Sequence, residues 1–388
     1  MGCALMGTLR IQPARFGALG STAASGSWNH FDLQLAFYAL ALAIVGVLMA
    51  YTNSQGAPLE SGSVFTRGLM WLAIALVLFT LAAAFDFRWL RTLAWPIYVG
   101  NLALLVLTLV IGSGTGGVSR WVTLGGLQFQ FSELAKILMA IVLANYLSGR
   151  RDKLKSLTTI LGAAVIAGPP LALVLLQPDL GTSLVFGAML FGTLFLVGAS
   201  ARWLLVAAGL VVAMLPVAWE FVLKDYQRAR LISFLEPAAD PLGSGYQLIQ
   251  AQIAVGSGGL FGKGLTNGTQ TQLDYLPVQA TDFVGATLAE ELGFVGGVVI
   301  LLLFSALLWR VLLVGWRSRD TFGLAFAGAV ASMILFQLLV NFGMVMGIMP
   351  ITGIPLPFIT HGGASLTSIA LGLGILQSIS MRQGRQSW

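Results

Sequence analysis

Residues 32–52, which read DLQLAFYALALAIVGVLMAYT, decide the fold class of this chain. An α-helix needs about 20 consecutive apolar residues to cross the hydrocarbon core of a bilayer, and this stretch provides them. Further stretches have the same character: residues 64–84, 90–112, 132–148, 156–176, 182–199, 202–223, 283–314, 321–349 and 363–381. The sequence therefore predicts an all-α polytopic integral membrane protein of about ten transmembrane helices. We expect the fourth and sixth spans to be short and the eighth to be interrupted near Glu290–Gly293.

The composition supports a membrane protein and argues against a soluble one. Hydrophobic residues make up 57% of the chain and charged residues only 9%, whereas a soluble domain carries roughly 25% charged residues. So few charges cannot cover a water-facing surface, so most of the surface must face lipid. The 21 basic residues lie scattered between apolar runs, and a nucleic-acid-binding protein would gather them in a patch or stripe. Nucleic acid is therefore excluded as a partner.

The domain organisation is simple. Residues 1–30 are rich in Gly, Ser and Ala and contain Arg10 and Arg15, but they have no apolar run long enough for a signal peptide. We interpret them as a disordered extension, a misplaced start or a cloning remnant. Residues 31–388 are predicted to form a single transmembrane domain with a long outer loop, residues 224–281, between spans seven and eight.

The distribution of Lys and Arg predicts the orientation. Loops on the side that holds both termini carry 12 basic residues, and the opposite loops carry fewer, most of them in the long loop. Short cytoplasmic loops are enriched in Lys and Arg, so both termini are predicted to be cytoplasmic. The unusual polar segments, residues 113–131, 177–181, 224–281 and 350–362, then all fall on the non-cytoplasmic side.

The first of these segments leads into span four and reads SRWVTLGGLQFQFSELAK, residues 119–136. Ser132 is a good N-cap for that helix. Glu133 and Lys136 are three residues apart and share a helix face. Charges inside a span usually face a partner or a wet cavity. The pair is either a structural ion pair or part of the charged lining of a substrate groove.

Residues 177–182, QPDLGT, form a short turn before span six. Asp179 can cap that helix or complement its positive end, because anionic groups are favourable at helix N-termini. The sequence supports this capping role at least as well as contact with a substrate.

Two arginines, Arg228 and Arg230, lie close together at the start of the long loop. Guanidinium groups recognise phosphates through fork geometry and charge. The alternative is an interfacial anchor to anionic lipid headgroups.

The middle of the long loop predicts a weakly amphipathic helix over residues 244–254. Tyr246, Ile249 and Ile253 share one face, and the polar positions include Gln247 and Gln250. The stretch GSGGLFGKG, residues 256–264, contains Ser257 and Lys263 and is superficially similar to a phosphate-binding loop. It follows no strand and lacks the required spacing, so a nucleotide site is rejected.

The long loop ends with LPVQATDF, residues 276–283. Asp282 stands where a polar loop meets span eight. Partial desolvation there would raise its pKa and suit it to act as a general base. Thr281 and Asp282 could equally be helix caps, and spacing alone favours capping. Glu290 and Glu291 lie two turns deeper and need a paired or wet setting.

The last polar segment runs from Asn341 to Gly363 and contains three prolines and several glycines. Such a stretch resists a continuous helix, and non-helical backbone at membrane depth is tolerated only where protein buries it or a cavity wets it. The segment is interpreted as a re-entrant or groove-lining loop. His361 has no clustered ligand partners in the sequence, so a metal site there has little support.

Taken together, these motifs resemble those of the SEDS family of cell-wall proteins, which comprises RodA, FtsW and sporulation relatives. The resemblance covers residues 32–381, and the Gly343-Met344 and Gly353–Pro357 positions favour the RodA branch. Phe131 and His361 depart from the family's usual proline and tyrosine, and Ala364 replaces a small polar residue.

The resemblance implies a peptidoglycan glycosyltransferase of cell-wall elongation and cell shape that polymerises lipid II at the outer leaflet of the cytoplasmic (inner) membrane. It implies that Asp282 is catalytic, as the general base of an inverting transfer. The candidate substrate-binding residues are Arg120, Gln130, Ser132, Glu133, Lys136, Asp179, Arg228, Arg230, Gln247, Gln250, Ser257, Lys263 and Thr281.

The resemblance also implies partners and leaves a cofactor open. The expected ligands are lipid II and the glycan linked to undecaprenyl pyrophosphate, and the expected protein partner is a class B penicillin-binding protein, a transpeptidase. The sequence shows no closed metal cage, so any Mg²⁺ or Mn²⁺ would be held mainly by pyrophosphate with one or two carboxylates.

Two other functions stay open at this point. A lipid II flippase or other lipid-linked transporter would need a polar route through the spans, with Asp179, Glu133 and Glu290 as candidate residues. A non-enzymatic scaffold for a transpeptidase would need no catalytic carboxylate at all.

Overall fold

The computed structural model describes residues 28–54, 60, 62–112, 120–124, 127–237, 240, 243–273, 275–276 and 281–383. Most of the predicted N-terminal extension, residues 1–27, lies outside these described residues, and so do residues 113–119 of the first polar loop. Trp28–His30 already form a short 3₁₀ helix. The described chain therefore begins three residues before the predicted domain boundary.

The chain is almost entirely helical. Its first half forms α1 (Leu33–Thr52), α2 (Val64–Ala84), α3 (Phe87–Thr92), α4 (Ala94–Ile111), β1 (Val122–Leu124), β2 (Leu127–Phe129), α5 (Phe131–Ser148), a 3₁₀ turn (Arg151–Lys153), α6 (Leu157–Leu176) and α7 (Leu180–Leu196). Its second half forms α8 (Ala201–Ala213), α9 (Leu215–Phe221), α10 (Asp225–Leu235), α11 (Ser244–Ser257), α12 (Thr269–Gln272), α13 (Val284–Arg317), α14 (Thr321–Val345) and α15 (Gly363–Gln383). The strands β1 and β2 pair antiparallel in the first polar loop.

The predicted spans are confirmed. Among the described residues, nine helical segments are long and apolar enough to cross a membrane, and α7 is a shorter apolar helix of 17 residues. The seventh span is α8 together with α9, joined at Met214. The ninth ends at Val345, four residues earlier than predicted. The chain is a polytopic integral membrane protein.

Burial divides the bundle into a centre and a periphery. Most of α5, α14 and α15 is buried, whereas α2 and the α8–α9 span are largely exposed. The central helix α14 packs against α5, α7 and α13, and α15 packs against α2 and α5. The peripheral helices therefore provide most of the apolar surface that lipid must cover.

The predicted interruption of span eight is present. Gly293 has φ 68° and ψ −168°, which is outside the helical region. The backbone of residues 258–264 lies along the break, where Lys263 N donates to Glu290 O at 3.0 Å and Phe294 N donates to Gly259 O at 2.9 Å. These bonds pair backbone groups that the break removes from the helix, as a low-dielectric setting requires.

The long loop between spans seven and eight contains the three helices α10, α11 and α12. The predicted helix over residues 244–254 is present as α11 (Ser244–Ser257). Leu248, Ala251 and Ala254 are buried, while Ile249 and Ile253 are exposed. Small residues allow α11 to approach α13 closely, so the bulkier branched residues lie outside.

The segment between α14 and α15, residues 346–362, is non-helical; Met346 and Ile348 at its start are exposed, and residues 351–360 are buried or half-buried. Leu356, Phe358 and Ile359 are buried. A Cβ at Gly46 of α1 would lie 2.2 Å from Phe358 O, so the two backbones are in contact. The protein itself buries this stretch, as the sequence analysis expected of non-helical backbone at this depth.

Candidate active site at the start of helix α13

The backbone around Asp282 is held by residues from two other elements. The side-chain amide of Asn341, on α14, donates to Asp282 O at 3.1 Å and to Ile354 O at 2.9 Å. The hydroxyl of Thr360 donates to Thr281 O at 3.2 Å and accepts from Leu356 N at 2.7 Å. The start of α13 is therefore fixed to the proline-rich segment that precedes α15.

Asp282 does not cap its helix. The N-cap of α13 is Phe283, which makes no side-chain capping bond, so the capping role that spacing favoured is wrong. The Asp282 carboxylate is partly buried, and burial raises its pKa above the ordinary value. Arg230, Arg120 and a hydrogen bond with Thr281 act in the opposite direction, while Asp179 adds to the rise. The result is a carboxylate that binds a proton more readily than one in water.

Arg120 and Asp179 form the neighbouring wall of the site. Asp179 caps α7 as predicted, accepting from Thr182 N at 3.1 Å. Its second oxygen accepts from the Gln130 side chain at 3.0 Å. The Arg120 guanidinium lies 3.9 Å from the Asp179 carboxylate and donates to Gln177 O at 3.3 Å and to Pro178 O. Arg120 is thus occupied in holding the turn before α7.

Arg230 is less engaged than Arg120. Its guanidinium lies over the ring of Tyr226, 5.8 Å from the centroid, and Tyr226 OH donates to Pro178 O at 2.7 Å. A Cβ at Gly353 would lie 3.5 Å from Asp282 Oδ2 and 3.8 Å from an Arg230 terminal nitrogen, so this glycine lies beside both groups. Arg230 therefore offers a guanidinium beside the carboxylate.

A cavity of about 80 Å³ opens beside Arg230. It is lined by Arg120, Pro178, Leu180, Leu184, Tyr226, Gln227, Arg230, Leu231, Pro350, Ile351 and Thr352. The lining combines two guanidinium groups with apolar side chains. The two guanidinium groups make its charge favourable for an anionic group.

Part of the predicted substrate set gathers around Asp282. Arg120, Gln130, Asp179, Arg230 and Thr281 belong to this cluster, either through the hydrogen bonds given above or through their effect on the Asp282 pKa. The structure brings these residues together from α7, α10, the polar loop before α5 and the start of α13.

Glu133 and Lys136 form a separate buried pair on α5. Lys136 Nζ lies 2.8 Å from Glu133 Oε1, and both side chains are almost fully buried. Ser132 is not the N-cap that the sequence suggested, because α5 begins at Phe131 and Gln130 holds the cap position. Within the described part of the chain, Ser132 Oγ and Glu133 Oε2 have no hydrogen-bond partner.

Ser257 and Lys263 lie at Glu290 rather than at Asp282. Lys263 Nζ donates to Glu290 Oε1 at 2.7 Å, and Ser257 Oγ donates to the same oxygen at 3.4 Å. Thr271 donates to Oε2 at 3.2 Å and Gln270 N to Oε1 at 3.0 Å. The glycine-rich stretch thus holds a buried carboxylate at the break in α13.

The remaining predicted residues lie on α10 and α11. Arg228 donates to Glu220 O at 2.8 Å and lies 4.0 Å from Asp225, so it points along its own segment. Gln247 and Gln250 are partly buried on α11. None of the three is among the groups that affect the Asp282 carboxylate.

The described residues contain no group of three or more His, Cys, Asp or Glu side chains that could enclose a metal ion. At the candidate site the carboxylates are those of Asp282 and Asp179, and Asp179 already accepts from Thr182 and Gln130. The donors fit a cation that brings most of its ligands with it, not a closed protein cage.

Sequence reasoning missed the residues that position Asp282. Asn341, Gly353 and Thr360 lay inside the quoted polar segment but were not among the proposed site residues. The available signal was the amide of Asn341 in an otherwise apolar span. A polar side chain inside a membrane is energetically costly, so its presence indicates a structural or functional role. Tyr226 carried no signal beyond being next to the two arginines.

Comparison with known proteins identifies the family. The profile of the cell cycle protein family FtsW/RodA/SpoVE matches residues 33–385. The chain belongs to this family. It is 39% identical over 351 residues to the peptidoglycan glycosyltransferase MrdB of Escherichia coli K12, covering 90% of this chain and 93% of that protein. It is 32% identical over 430 residues to the peptidoglycan glycosyltransferase RodA of Treponema pallidum, covering 92% of this chain and 98% of that protein.

Solved structures of family members have the same fold. A chain from a peptidoglycan synthase complex, described as coordinating polymerization and crosslinking, matches with a TM-score of 0.78 and 35% identity, covering 92% of this chain and 99% of that chain. The rod shape determining protein RodA of Thermus thermophilus matches with a TM-score of 0.69 and 30% identity, covering 93% and 99%. The family resemblance seen in the motifs is confirmed.

Proposed function

We propose that this protein is a peptidoglycan glycosyltransferase that polymerises lipid II into glycan strands, with Asp282 as its general base. The observation that carries the proposal is a partly buried carboxylate at the start of α13, with its pKa raised by burial and two guanidinium groups nearby. Relatives at 39% and 32% identity are named as peptidoglycan glycosyltransferases. A role in cell-wall elongation and cell shape follows from the RodA-like motifs.

The reaction uses one proton acceptor and a stabilised leaving group. Lipid II presents a glucosamine 4-hydroxyl as acceptor, and the growing glycan presents a muramyl C1 bonded to undecaprenyl pyrophosphate. The acceptor oxygen attacks C1 while the Asp282 carboxylate takes its proton. The C1–O bond breaks, and its electron pair leaves with pyrophosphate. A direct displacement of this kind inverts the anomeric centre.

The raised pKa of Asp282 suits this role. A general base works best when its pKa lies near the operating pH, because it then accepts a proton in the transition state without being protonated beforehand. Burial raises the pKa of Asp282 in that direction, and the nearby Arg230 and Arg120 guanidinium groups oppose the rise.

Arg230 is the residue proposed to bind the departing pyrophosphate. It lies beside Asp282 at Gly353 and lines the small cavity, while Arg120 is occupied by Gln177 and Pro178. Preorganised positive charge at a developing anion is among the largest contributions to catalysis. Gln130, Asp179 and Thr281 would then hold Arg120 and Asp282 in position and would not contact the sugar directly.

A divalent cation, Mg²⁺ or Mn²⁺, is proposed only as a companion of the pyrophosphate. It would be held mainly by the pyrophosphate oxygens, because a cation bound to Asp282 would lower the pKa of the proposed base. The cation would neutralise charge on the leaving group.

The site is proposed to face the non-cytoplasmic side of the cytoplasmic (inner) membrane, with both termini in the cytoplasm. Support comes from the excess of Lys and Arg in the loops at the opposite end. Single cysteines introduced at Lys153 and Tyr275, after Cys3→Ser, test this with an impermeant maleimide on intact cells. Labelling at position 275 alone is expected, and labelling at position 153 alone would refute the orientation.

The proposed partner is a class B penicillin-binding protein, which crosslinks the strands that this protein makes. Support comes from the structural match to a complex that couples polymerization and crosslinking. The proposed contact surfaces are the outer loops and the exposed apolar side of α13, including Leu302 and Trp309.

The proposal is tested by conversion of lipid II to polymer by the purified protein, with and without the partner and a divalent cation. Asp282→Asn and Asp282→Ala are expected to lose activity by about 10³-fold, the middle of the range for a general base. Asp152→Asn, which removes an exposed carboxylate elsewhere, serves as the matched control and should keep full activity.

The same preparations separate the two rival functions. Full polymerisation by a folded Asp282→Ala protein would overturn the enzymatic proposal. Lipid II translocation in liposomes without polymer would support the flippase, and cell-shape function retained by Asp282→Ala would support the scaffold.

A further inference from the structure

A groove with a volume of about 200 Å³ opens between α1, α2 and α15. Its lining comes from α1 between Ala36 and Ala43, from α2 between Leu72 and Thr80, from α15 between Leu366 and Leu373, and from Phe358. It shares no lining residue with the cavity beside Arg230. The groove is therefore separate from the candidate active site.

Small side chains on α1 leave the space that forms the groove. Ala36, Ala39 and Ala43 recur three and four residues apart, so they share one face of α1. On this face α1 presents methyl groups, and a larger side chain would fill the gap between α1 and its neighbours. The groove thus follows from the alanine spacing in the sequence.

Two glycines of α15 bring that helix close to α2 at the two ends of the groove. Gly363 lies against the ring of Trp71 with no room for a Cβ, and a Cβ at Gly374 would lie 2.6 Å from Phe79 O. The part of α15 that lines the groove lies between these two contacts. Because the helices touch at both ends, the groove is a fixed gap in the folded bundle.

The lining of the groove is apolar and continues onto the lipid-facing surface. Among the described residues that line it, Thr80 alone has a polar side chain, and its hydroxyl already donates to Val77 O at 2.9 Å. Apolar cavities of this kind stay dry and accept hydrocarbon ligands. Leu40 and Leu76 in its walls are 40% and 44% exposed, so the groove joins the surface of α1 and α2 that lipid covers.

The length and depth of the groove match an acyl chain. It starts close to the end of the bundle at which α1 begins, because Ala36 lies one turn into α1 and Thr80 one turn before the end of α2. The rise from Ala36 to Ala43 is about 10 Å, which fits within the roughly 15 Å that one leaflet contributes to the hydrocarbon core. The space beyond Phe358 is only about 20 Å³, close to the room that one water needs. A chain in the groove therefore ends against Phe358.

We propose that the groove binds one acyl chain of a bilayer phospholipid, from the leaflet at the end where α1 begins, and that the bound chain supports the segment that positions Asp282. Phe358 has φ 65°, a conformation that residues with a side chain adopt only where their surroundings impose it. The backbone of Gly46 contacts its carbonyl oxygen, and the Phe304 ring lies 6.3 Å from its ring. The acyl chain supplies a contact on the side that the protein leaves open.

The connection from Phe358 to the active site runs through Thr360, two residues later. The Thr360 hydroxyl accepts from Leu356 N at 2.7 Å and donates to Thr281 O at 3.2 Å. A shift of Phe358 therefore moves the residue that fixes the backbone next to Asp282. Binding of the chain is independent of the glycosyltransferase activity, and only its effect on the reaction rate rests on the proposed function.

Photolabelling tests the binding. The purified protein in detergent is mixed with a phosphatidylglycerol that carries a diazirine near the end of one acyl chain, irradiated, and mapped by peptide mass spectrometry. We expect labels on the groove residues of α1, α2 and α15. Ala39→Phe fills the groove and should lower this labelling about tenfold, because a close-packed site has no room for a chain.

Two further variants complete the labelling experiment. Ala73→Phe makes the same change at an exposed position of α2 outside the lining, and labelling of the groove should stay within about twofold of wild type. Ala75→Leu fills the groove from α2 and should also abolish labelling, which keeps the test decisive if Ala39→Phe does not fold.

Hydrogen exchange tests the connection to the active site. Adding phosphatidylglycerol to delipidated wild type should slow amide exchange in residues 356–362 several-fold, because the chain holds Phe358 in place. In Ala39→Phe the exchange should be slow without lipid, since the introduced ring occupies the position of the chain. Polymerisation per folded molecule should follow the same pattern. A protein that is labelled in the groove but makes no polymer would refute the proposed function and leave the lipid site standing.

The outcomes assign the occupant or reject the site. Labelling that unlabelled phosphatidylglycerol competes away, and that the filled variants lose, supports the acyl chain. Competition by undecaprenyl phosphate but not by phosphatidylglycerol would assign the groove to an isoprenoid chain and overturn the phospholipid assignment. Equal labelling of wild type and both filled variants would overturn the site, and exchange in residues 356–362 that does not respond to lipid would overturn the connection to Asp282.

Discussion

Two carboxylates near the start of α13 have opposite environments. Glu290 lies at the break in the helix and accepts from Lys263 at 2.7 Å, from Gln270 N at 3.0 Å and from Thr271 at 3.2 Å. Asp282 lies eight residues earlier, where burial raises its pKa and the Thr281 side chain donates a hydrogen bond to it. A carboxylate whose oxygens are all engaged stabilises a structure, whereas one with few donors is available to accept a proton.

Two glycine-containing segments lie beside these carboxylates, and they make different contacts. Residues 258–264 bond to the backbone at the break and bring Lys263 to Glu290. In residues 350–362, Thr360 donates to Thr281 O, and Asn341 of α14 donates to both Asp282 O and Ile354 O. Residues 258–264 thus help to enclose the Glu290 carboxylate, whereas residues 350–362 help to fix the backbone that carries Asp282.

The largest expected effect is on stability at the break. Lys263→Met leaves Glu290 buried without its cation, and breaking one partner of a buried pair costs about 3 kcal/mol or more. Chemical unfolding in detergent should show this loss, while polymerisation per folded molecule stays within about fivefold of wild type. Lys155→Met, at an exposed position, is the control. Unchanged stability of the Lys263 variant would mean that Glu290 does not need its pair.

The second expected effect separates the two neighbouring arginines. Arg230→Gln should lower the polymerisation rate about 100-fold, as removal of a charge-stabilising donor does in other enzymes. Arg228→Gln should stay within about threefold, because Arg228 contacts Glu220 and Asp225 and does not act on Asp282. The opposite ranking would assign pyrophosphate binding to Arg228.

The third expected effect concerns Gly353. It has φ 70°, and a Cβ there would lie 3.5 Å from Asp282 Oδ2. Gly353→Ala should cost about 1 kcal/mol of stability from the backbone alone and reduce polymerisation about tenfold by displacing the carboxylate. Gly264→Ala carries the same penalty at φ 89° near Glu290. The polymerisation rate per folded Gly264→Ala molecule should be nearly normal. Equal losses of rate in both variants would mean that Gly353 has no special effect on Asp282.

The smallest expected effect is a stabilisation. The pKa of Asp282 is raised in the folded protein, so between its unfolded and folded values the folded state binds more protons and stability falls as pH rises. Asp282→Asn removes this pH-dependent contribution. The variant should unfold at a higher temperature than wild type at high pH, with the difference shrinking as the pH falls through that window. A lower unfolding temperature would indicate a structural role for the carboxylate.

Much of the fold could be predicted because apolar length is a strong local signal. The spans, the short α7 and the break at Gly293 all followed from hydropathy and from charge inside a span. The helices of the long loop were only partly found. For α11 the sequence predicted the helix but not its packing face, which is formed by Leu248, Ala251 and Ala254.

The site could be predicted only as a set of candidate residues. Charge and position singled out Asp282, Asp179 and Arg230 as polar groups near helix ends, whereas the catalytic role of Asp282 and the candidacy of Arg120 came from the family resemblance. Local patterns could not show that Lys263 belongs to Glu290, since that pairing joins residues 27 apart across a break. Nor could they show that Arg228 points along its own segment while Arg230 lies beside Asp282.

The central claim is that Asp282 is a proton acceptor and Glu290 a structural carboxylate. The most direct test is lipid II polymerisation by Asp282→Asn and Glu290→Gln side by side, normalised to folded protein by size-exclusion chromatography. The predicted result is a loss of about 10³-fold for Asp282→Asn and a rate within about fivefold of wild type for folded Glu290→Gln. Near-normal polymerisation by Asp282→Asn would contradict the claim.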